Sequence, residues 1–248
     1  MGPLETAPSW SVVIPAYHEA ERLPRYLAEV VAYFIERGEP WEVIVVDDGS
    51  TDDTSGVVRA MRDRHPEVRL VRHERNSGKG FAVQAGMAVA RGAQRLFADA
   101  DGATPIAELK RLEAALAAGA DVAIGSRAVA EPGVVVRTRP HRKLARRLFN
   151  LAATRMGLDA LHDTQCGFKA FSQAAAADLF PRLSTKGFGF DVELLLRARA
   201  AGWRIAEVPV NWTDQQGSKV GVLTDGPAML WQIASARRRI ARDARGRR

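Results

Sequence analysis

Several features that would mark common protein classes are missing from this sequence. Its 248 residues include a single cysteine, Cys166. An internal disulfide and a Cys-rich zinc site are therefore excluded, and a reducing compartment fits. No apolar run approaches the roughly 18 residues of a spanning helix. No charged-then-apolar signal segment opens the chain. A G-x-G-x-x-G turn after the first strand is lacking, which counts against a dinucleotide-dependent oxidoreductase. Neither a G-x-S-x-G elbow nor an H-E-x-x-H helix occurs. The loop Asn76–Gly80 is not a Walker A loop, because position 73 is His and no Ser or Thr follows Lys79.

Hydrophobic residues make up 46% of the chain, enough for a substantial core in one large domain or two small ones. Neither a repeat nor a low-complexity linker divides it. We read residues 1–236 as a single domain and 237–248 as a basic tail, frayed at its end. The net charge of +7 is uneven. Residues 237–248 carry seven arginines and one aspartate. Residues 137–155 hold six arginines and Lys143 with no acid. The remainder is net acidic, so the basicity belongs to two segments and not to the fold. Such segments suit nucleic acid, an anionic membrane surface or a phosphate ligand.

What is present is a series of short apolar strands with polar tips. Val12-Val13-Ile14 ends in Pro15-Ala16-Tyr17-His18-Glu19. Val43–Val46 ends in Asp47-Asp48-Gly49. Ala93–Ala98 ends in Asp99-Ala100-Asp101. Helical periodicity follows each, over about 20–36, from Thr51, and over about 105–118. Further strands are expected at 68–71, 121–125 and 206–210, with helices at 81–91, near 172–179, from Asp191, and over 226–243. Strands alternating with helices predict an α/β fold with a mostly parallel sheet and helices on both faces. Right-handed crossovers bring the strand tips to one edge, where ligands of open sheets bind. Two carboxylates there are costly unless a cation neutralises them. Mg2+ or Mn2+ held between Asp99, Asp101 and the phosphates of a nucleotide does so. An isolated acidic pair before Gly102 also reads as a solvated turn. Three such tips on one edge favour the ligand site.

Other residues admit two readings. Lys79, between two glycines at a helix start, suits a phosphate cradle or a plain loop. Asp47 suits a base or ribose contact, and Asp48 a turn that caps the next helix. Asp191 fits a general base or the N-cap of its own helix. Lys169 and Lys219 are surface charges or anion clamps. Residues 141–156 read as a basic amphipathic helix with Leu144, Leu148, Leu151 and Ala152 on its apolar side. Single-strand nucleic-acid readers interleave aromatics with charge, and only Phe149 occurs here. Its pattern matches an interfacial helix better, so no nucleic-acid partner is expected.

These motifs carry a resemblance. PAYHEAERL (15–23), EVIVVDDGSTDDT (42–54), NSGKG (76–80), DADGAT (99–104) and GSR (125–127) resemble those of family 2 glycosyltransferases of GT-A (Rossmann-like) fold. DTQCGFKAF (163–171), GFGFDVELL (187–195) and EVPVNWTDQQGSK (207–219) are similar to the dolichyl-phosphate β-glucosyltransferases. The likeness spans about residues 10–222. It implies nucleotide-sugar contacts at Pro15, Tyr17, Glu19, Asp47, Lys79 and Asp99, and a metal at Asp99 and Asp101. It implies Arg127, Arg142, Lys169 and Lys219 around the donor diphosphate and the acceptor phosphate, with basic amphipathic helices on the acceptor side. Asp191 falls at the family's base position. Asp101 and Asp191 are thus the catalytic candidates. The implied reaction is inverting, metal-dependent transfer of glucose from UDP-glucose to a polyprenyl (dolichyl) phosphate. Mannose or N-acetylhexosamine donors, or a soluble acceptor, are the alternatives. Sister enzymes that use mannose read Leu-Gln where this chain has Gly102-Ala103, which favours glucose. Eukaryotic relatives carry an amino-terminal membrane helix, and no such run opens this sequence. The expected location is the cytoplasmic face of a membrane, held peripherally through basic charge.

Overall fold

The computed structural model describes residues 7–139, 158, 161–215 and 222–245, with the side chains of the last segment described over 231–243. The segment 141–156, Arg142 and Lys219 lie outside the described residues.

A seven-stranded sheet organises the chain. Its strands are β1 (Trp10–Ala16), β2 (Trp41–Asp47), β3 (Val68–Arg72), β4 (Gln94–Ala98), β5 (Val122–Ser126), β7 (Phe168–Ser172) and β8 (Ile205–Pro209). They lie in the order β3-β2-β1-β4-β7-β5-β8. All neighbours are parallel except β7, which runs antiparallel between β4 and β5. A second small sheet pairs β6 (Val136–Arg137) with β9 (Trp212–Thr213). The expected strands are all present. Two strand features differ from expectation: Lys169, expected as a surface charge or anion clamp, lies within β7, and the β6–β9 pair has no counterpart in the sequence reading. A five-residue strand with a lysine at its second position carries no apolar signature of its own.

Helices cover both faces. On one side lie α1 (Leu23–Arg37), α2 (Thr54–Arg62) and α4 (Leu109–Ala117), with Leu23, Leu27, Val30, Phe34, Val58, Leu109 and Leu112 packed on Val12, Ile14, Val43 and Leu96. On the other lie α3 (Lys79–Val89), α5 (Gln173–Leu179) and α6 (Phe190–Ala200), which bury Val83, Met87, Leu179 and Leu195 against Val13, Ile44 and Phe97. The last helix, α7 (Val222–Arg245), adds Ile233 to this second core. It runs unbroken across residue 236. The alternation of Val12, Val13 and Ile14 between the two cores is the period-two side-chain pattern of a strand buried on both faces.

α1 begins with Pro24 in its first turn and ends at Gly38, whose φ of 68° and amide bonds back to Phe34 and Ile35 form a left-handed cap. α3 lies close to the sheet because Gly86 has no side chain; a Cβ there would sit 2.4 Å from Val13 Cγ1. β1 is followed in space by β2 on one side and by β4 on the other. The crevice at the carboxyl ends of β1 and β4 is therefore a topological switch point, the place where open α/β sheets bind ligands.

Candidate active site

A cleft of about 620 Å3 opens at that switch point. Pro15, Tyr17, His18 and Glu19 come from the end of β1, and Asp99, Ala100 and Asp101 from the end of β4. Lys79 enters from the start of α3, and Gly187 and Phe188 from the turn before α6. The sequence expectation that Pro15, Tyr17, Glu19, Lys79, Asp99 and Asp101 share one site matches their placement here.

The charges of the cleft are coupled. Lys79 Nζ lies 2.7 Å from Asp99 Oδ1. Burial alone would lower the Lys79 ammonium, but Asp99, with Asp191 and Asp101, outweighs it and holds the pKa above the usual lysine value. Asp101 Oδ1 accepts the amide of Ala103 at 3.0 Å, and its Oδ2 is 4.0 Å from Arg22 Nη1. Burial, and then the neighbouring Asp99, push the Asp101 carboxyl above the ordinary range. Asp99 and Asp101 keep 34% and 24% of their side chains exposed, so both face the cleft. Two like-charged, accessible carboxylates suit a hard divalent cation that completes its shell from substrate oxygens and water. Among the described residues no cluster of three or more His, Cys, Asp or Glu forms an all-protein metal cage. That set fits Mg2+ or Mn2+ shared with a diphosphate.

Arg22 was not foreseen as a site residue. It lines the cleft and forks onto Glu19, Nε to Oε2 at 2.8 Å and Nη2 to Oε1. Glu19 is held there by its own amide, which donates to Thr54 Oγ1 at 2.8 Å. The signal was the Glu-x-x-Arg spacing within PAYHEAER, which puts the two side chains one turn apart. His18, with a left-handed φ of 52°, stacks on Tyr17 at 4.0 Å and contacts Thr51 through Nε2 at 3.0 Å.

The two aspartates at the end of β2 are not disposed as expected. Asp47 is fully buried, accepting the Ser50 amide at 2.9 Å and the Ser55 hydroxyl. It shapes the turn into α2 and does not line the cleft. Asp48 does line it, yet its carboxylate is occupied by the amides of Ser77 and Gly78 and by His73 Nδ1 at 2.7 Å. The loop before α3 therefore offers the cleft its lysine, while these two amides already serve Asp48.

Three further expectations need correction. Lys169 does not reach the cleft: it is 0% exposed, with Nζ 2.5 Å from Asp191 Oδ1 and 2.6 Å from the Cys166 carbonyl. Arg127 is forked onto the buried Asp163 at 2.6 and 2.8 Å and lies 5.3 Å over the Trp212 ring. Asp191 is no N-cap, since Gly189 holds that position. Its buried carboxyl is raised by desolvation, which Lys169 and Lys79 only partly oppose. Cys166 is buried too, its thiol pushed up to about 11, which removes it as a nucleophile.

The second half of the chain braces the acidic turn. The Thr213 amide donates to the Ala103 carbonyl at 2.9 Å, and Asn211 Nδ2 to Glu108 Oε1 at 2.7 Å. The Asp99 amide donates to the Gly167 carbonyl at 2.9 Å. A Cβ on Gly167 would fall 1.9 Å from Asp99 Oδ2. Gly167→Ala is therefore expected to displace the Asp99 carboxylate by an ångström or so and cut turnover by about a hundredfold. Initial rates of transfer, beside an unchanged circular dichroism spectrum, check this.

A GT-A-like sheet with an acidic pair and a lysine converging at its switch point is the arrangement that fits a glycosyltransferase. The chain belongs to glycosyl transferase family 2, whose model matches residues 11–180. It is 40% identical over 220 residues to a dolichyl-phosphate beta-glucosyltransferase of Trichomonas vaginalis, covering 85% of this chain and 65% of that one. It is 40% identical over 232 residues to the dolichyl-phosphate beta-glucosyltransferase of Drosophila melanogaster, covering 88% and 71%. The chain thus spans about two thirds of the length of these relatives. Glucosyl-3-phosphoglycerate synthase from Mycobacterium tuberculosis, solved with Mn2+, UDP and glucosyl-3-phosphoglycerate, superposes with a TM-score of 0.69 at 22% identity, over 92% of this chain and 78% of that chain. That likeness shows the fold. Among the described residues no helix is long and apolar enough to cross a membrane.

Proposed function

We propose that this glycosyltransferase moves glucose from UDP-glucose to a polyprenyl phosphate such as dolichyl phosphate, with inversion, at the cytoplasmic face of a membrane. The observation that carries the reading is the meeting of Asp99, Asp101 and Lys79 in one cleft of a chain whose relatives are named for that reaction. Asp99 and Asp101 would hold Mg2+ or Mn2+, which when bound neutralises charge gathering on the leaving diphosphate.

The protein's own residues do the rest. Lys79 supplies a preorganised positive charge beside the acidic pair, where it needs no reorientation of solvent. The Glu19–Arg22 fork fixes a second cation at the cleft wall. Arg142 and Lys219 are proposed to meet the acceptor phosphate. A phosphate with a second pKa near ~6 is largely dianionic at neutral pH and attacks without a strong base. Asp191, buried on Lys169 and away from the cleft lining, accordingly serves to orient the lysines and not to take a proton.

A panel of UDP-glucose, UDP-galactose, UDP-N-acetylglucosamine and GDP-mannose, offered with dolichyl phosphate and Mg2+ or Mn2+, tests this by product mass. We expect UDP-glucose to be preferred by at least about a hundredfold, since a wrong sugar leaves polar groups of the site unpaired. Preference for another donor would overturn the sugar, and transfer to a water-soluble hydroxyl instead of the lipid phosphate would overturn the acceptor.

A further inference from the structure

We propose that α7 is a membrane-docking face, with Trp231 as its interfacial anchor and Arg238 and Arg242 as its contacts to anionic lipid. The proposal rests on the reading of a lipid-borne acceptor and names the surface that meets the lipid.

Of the chain's five tryptophans, Trp231 alone is exposed, at 70%. A tryptophan so placed exposes a large amphipathic ring whose favoured setting is a membrane–water boundary. It does not stand alone. At roughly 100° per residue, positions 231, 238 and 242 fall within about 40° of one another on the helix. Arg238 and Arg242 are both exposed. The opposite side carries Ile233, Ala236 and Ile240, which pack into the protein. One face of the helix is therefore committed to the core, and the face turned fully away from it bears an aromatic and two arginines. Asp243, the one acid among the described side chains of α7, lies about 120° round the helix from Trp231 and pairs with Arg197 at 3.3 Å. An aromatic with flanking arginines on an outward helix face complements an anionic bilayer surface.

The position of the face also connects it to the cleft. Gln232, next to Trp231, accepts the Gly189 amide through Oε1 at 3.2 Å. Gly189 ends the turn whose Gly187 and Phe188 line the cleft. A helix laid on the bilayer through Trp231 thus holds the cleft wall one hydrogen bond away from the lipid surface. The geometry brings a phosphate at that surface to the mouth of the site without a spanning segment.

The experiment uses the full chain and vesicles of phosphatidylcholine, alone or with about one third phosphatidylglycerol. Wild type is expected to sediment with the anionic vesicles at low salt and to be released at high salt. Trp231→Ala should weaken that binding by about tenfold, and Arg238→Ala and Arg242→Ala by about fivefold each. Brominated acyl chains should quench tryptophan emission several-fold more in wild type than in Trp231→Phe, because Trp10 is buried and Trp41, Trp203 and Trp212 are only partly exposed. Transfer to a short, water-soluble polyprenyl phosphate should be unchanged in Trp231→Ala, whereas transfer to dolichyl phosphate in vesicles should fall with binding. Vesicle binding by Trp231→Ala equal to wild type, or quenching undiminished in Trp231→Phe, overturns the docking face while leaving the transfer reaction standing. If wild type transfers to no polyprenyl phosphate yet loses vesicle binding with Trp231, the docking face holds and the proposed acceptor fails.

Discussion

Asp101→Ala is expected to lose about three orders of magnitude in transfer, which corresponds to about 4 kcal/mol of transition-state stabilisation. The fold should barely notice. Asp101 makes one described hydrogen bond within its turn, to the Ala103 amide at 3.0 Å. Its loss costs roughly 1 kcal/mol. Against this, burial and Asp99 already push its carboxyl upward, a sign that the ionised pair is held at a cost. Removing one member relieves that repulsion. The melting temperature should therefore move by no more than about 3 °C. Loss of transfer with an intact melting curve places Asp101 in the chemistry; retained turnover would remove it. Chelation of divalent cations should reproduce the loss in wild type and add nothing to the variant.

Lys169→Met is expected to produce the largest stability effect. Lys169 is fully buried and its ammonium has two described partners, Asp191 and the Cys166 carbonyl. Deleting it strands a buried carboxylate, which costs about 3–5 kcal/mol and about 10 °C in melting temperature. Adding Asp191→Asn should recover more than half of that loss, since the amide carries no charge to solvate. The pH dependence follows from the sign of the shift. The folded Asp191 carboxyl lies above its usual value because burial disfavours the ion. The folded state then binds more protons than the unfolded one, so stability falls as pH rises through this window. Loss of Lys169 widens the window upward. The melting gap between wild type and variant should be greatest near neutral pH and close as pH falls toward the ordinary carboxylate value near ~4. A gap that is constant with pH would mean that the loss came from packing and not from the stranded charge.

The first half of the fold was legible because its signals are local. Val12-Val13-Ile14 and Val43–Val46 are apolar runs bounded by turn residues, and Leu23, Leu27, Val30 and Phe34 repeat with helical spacing. The strand tips then followed from chain handedness, and the cleft holds the residues read from them. The second half was harder. β7 was hidden because its Lys169 looks solvent-facing until Asp191 is brought beside it from 22 positions later. Arg127 invited the same error: its partner Asp163 is 36 residues away. In both cases a cation read as a ligand for phosphate is paired inside the protein. Asp47 and Asp48 show the limit at closer range. Adjacent strand-end residues point to opposite sides, and nothing in the dipeptide says which side faces the ligand.

The sequence by itself determined the class of sheet, the acidic pair at the end of β4, the lysine at the start of α3 and the family, all through patterns within a few residues of one another. Only the tertiary structure decided which charges remain available to a substrate. Ion pairing and burial act through space over a few ångströms, and the chain brings partners together from β7 and α6, from the end of β5 and the loop before β7, and from α6 and α7. Until those partners are placed, a lysine bound to a buried aspartate and a lysine facing a phosphate have the same sequence signature.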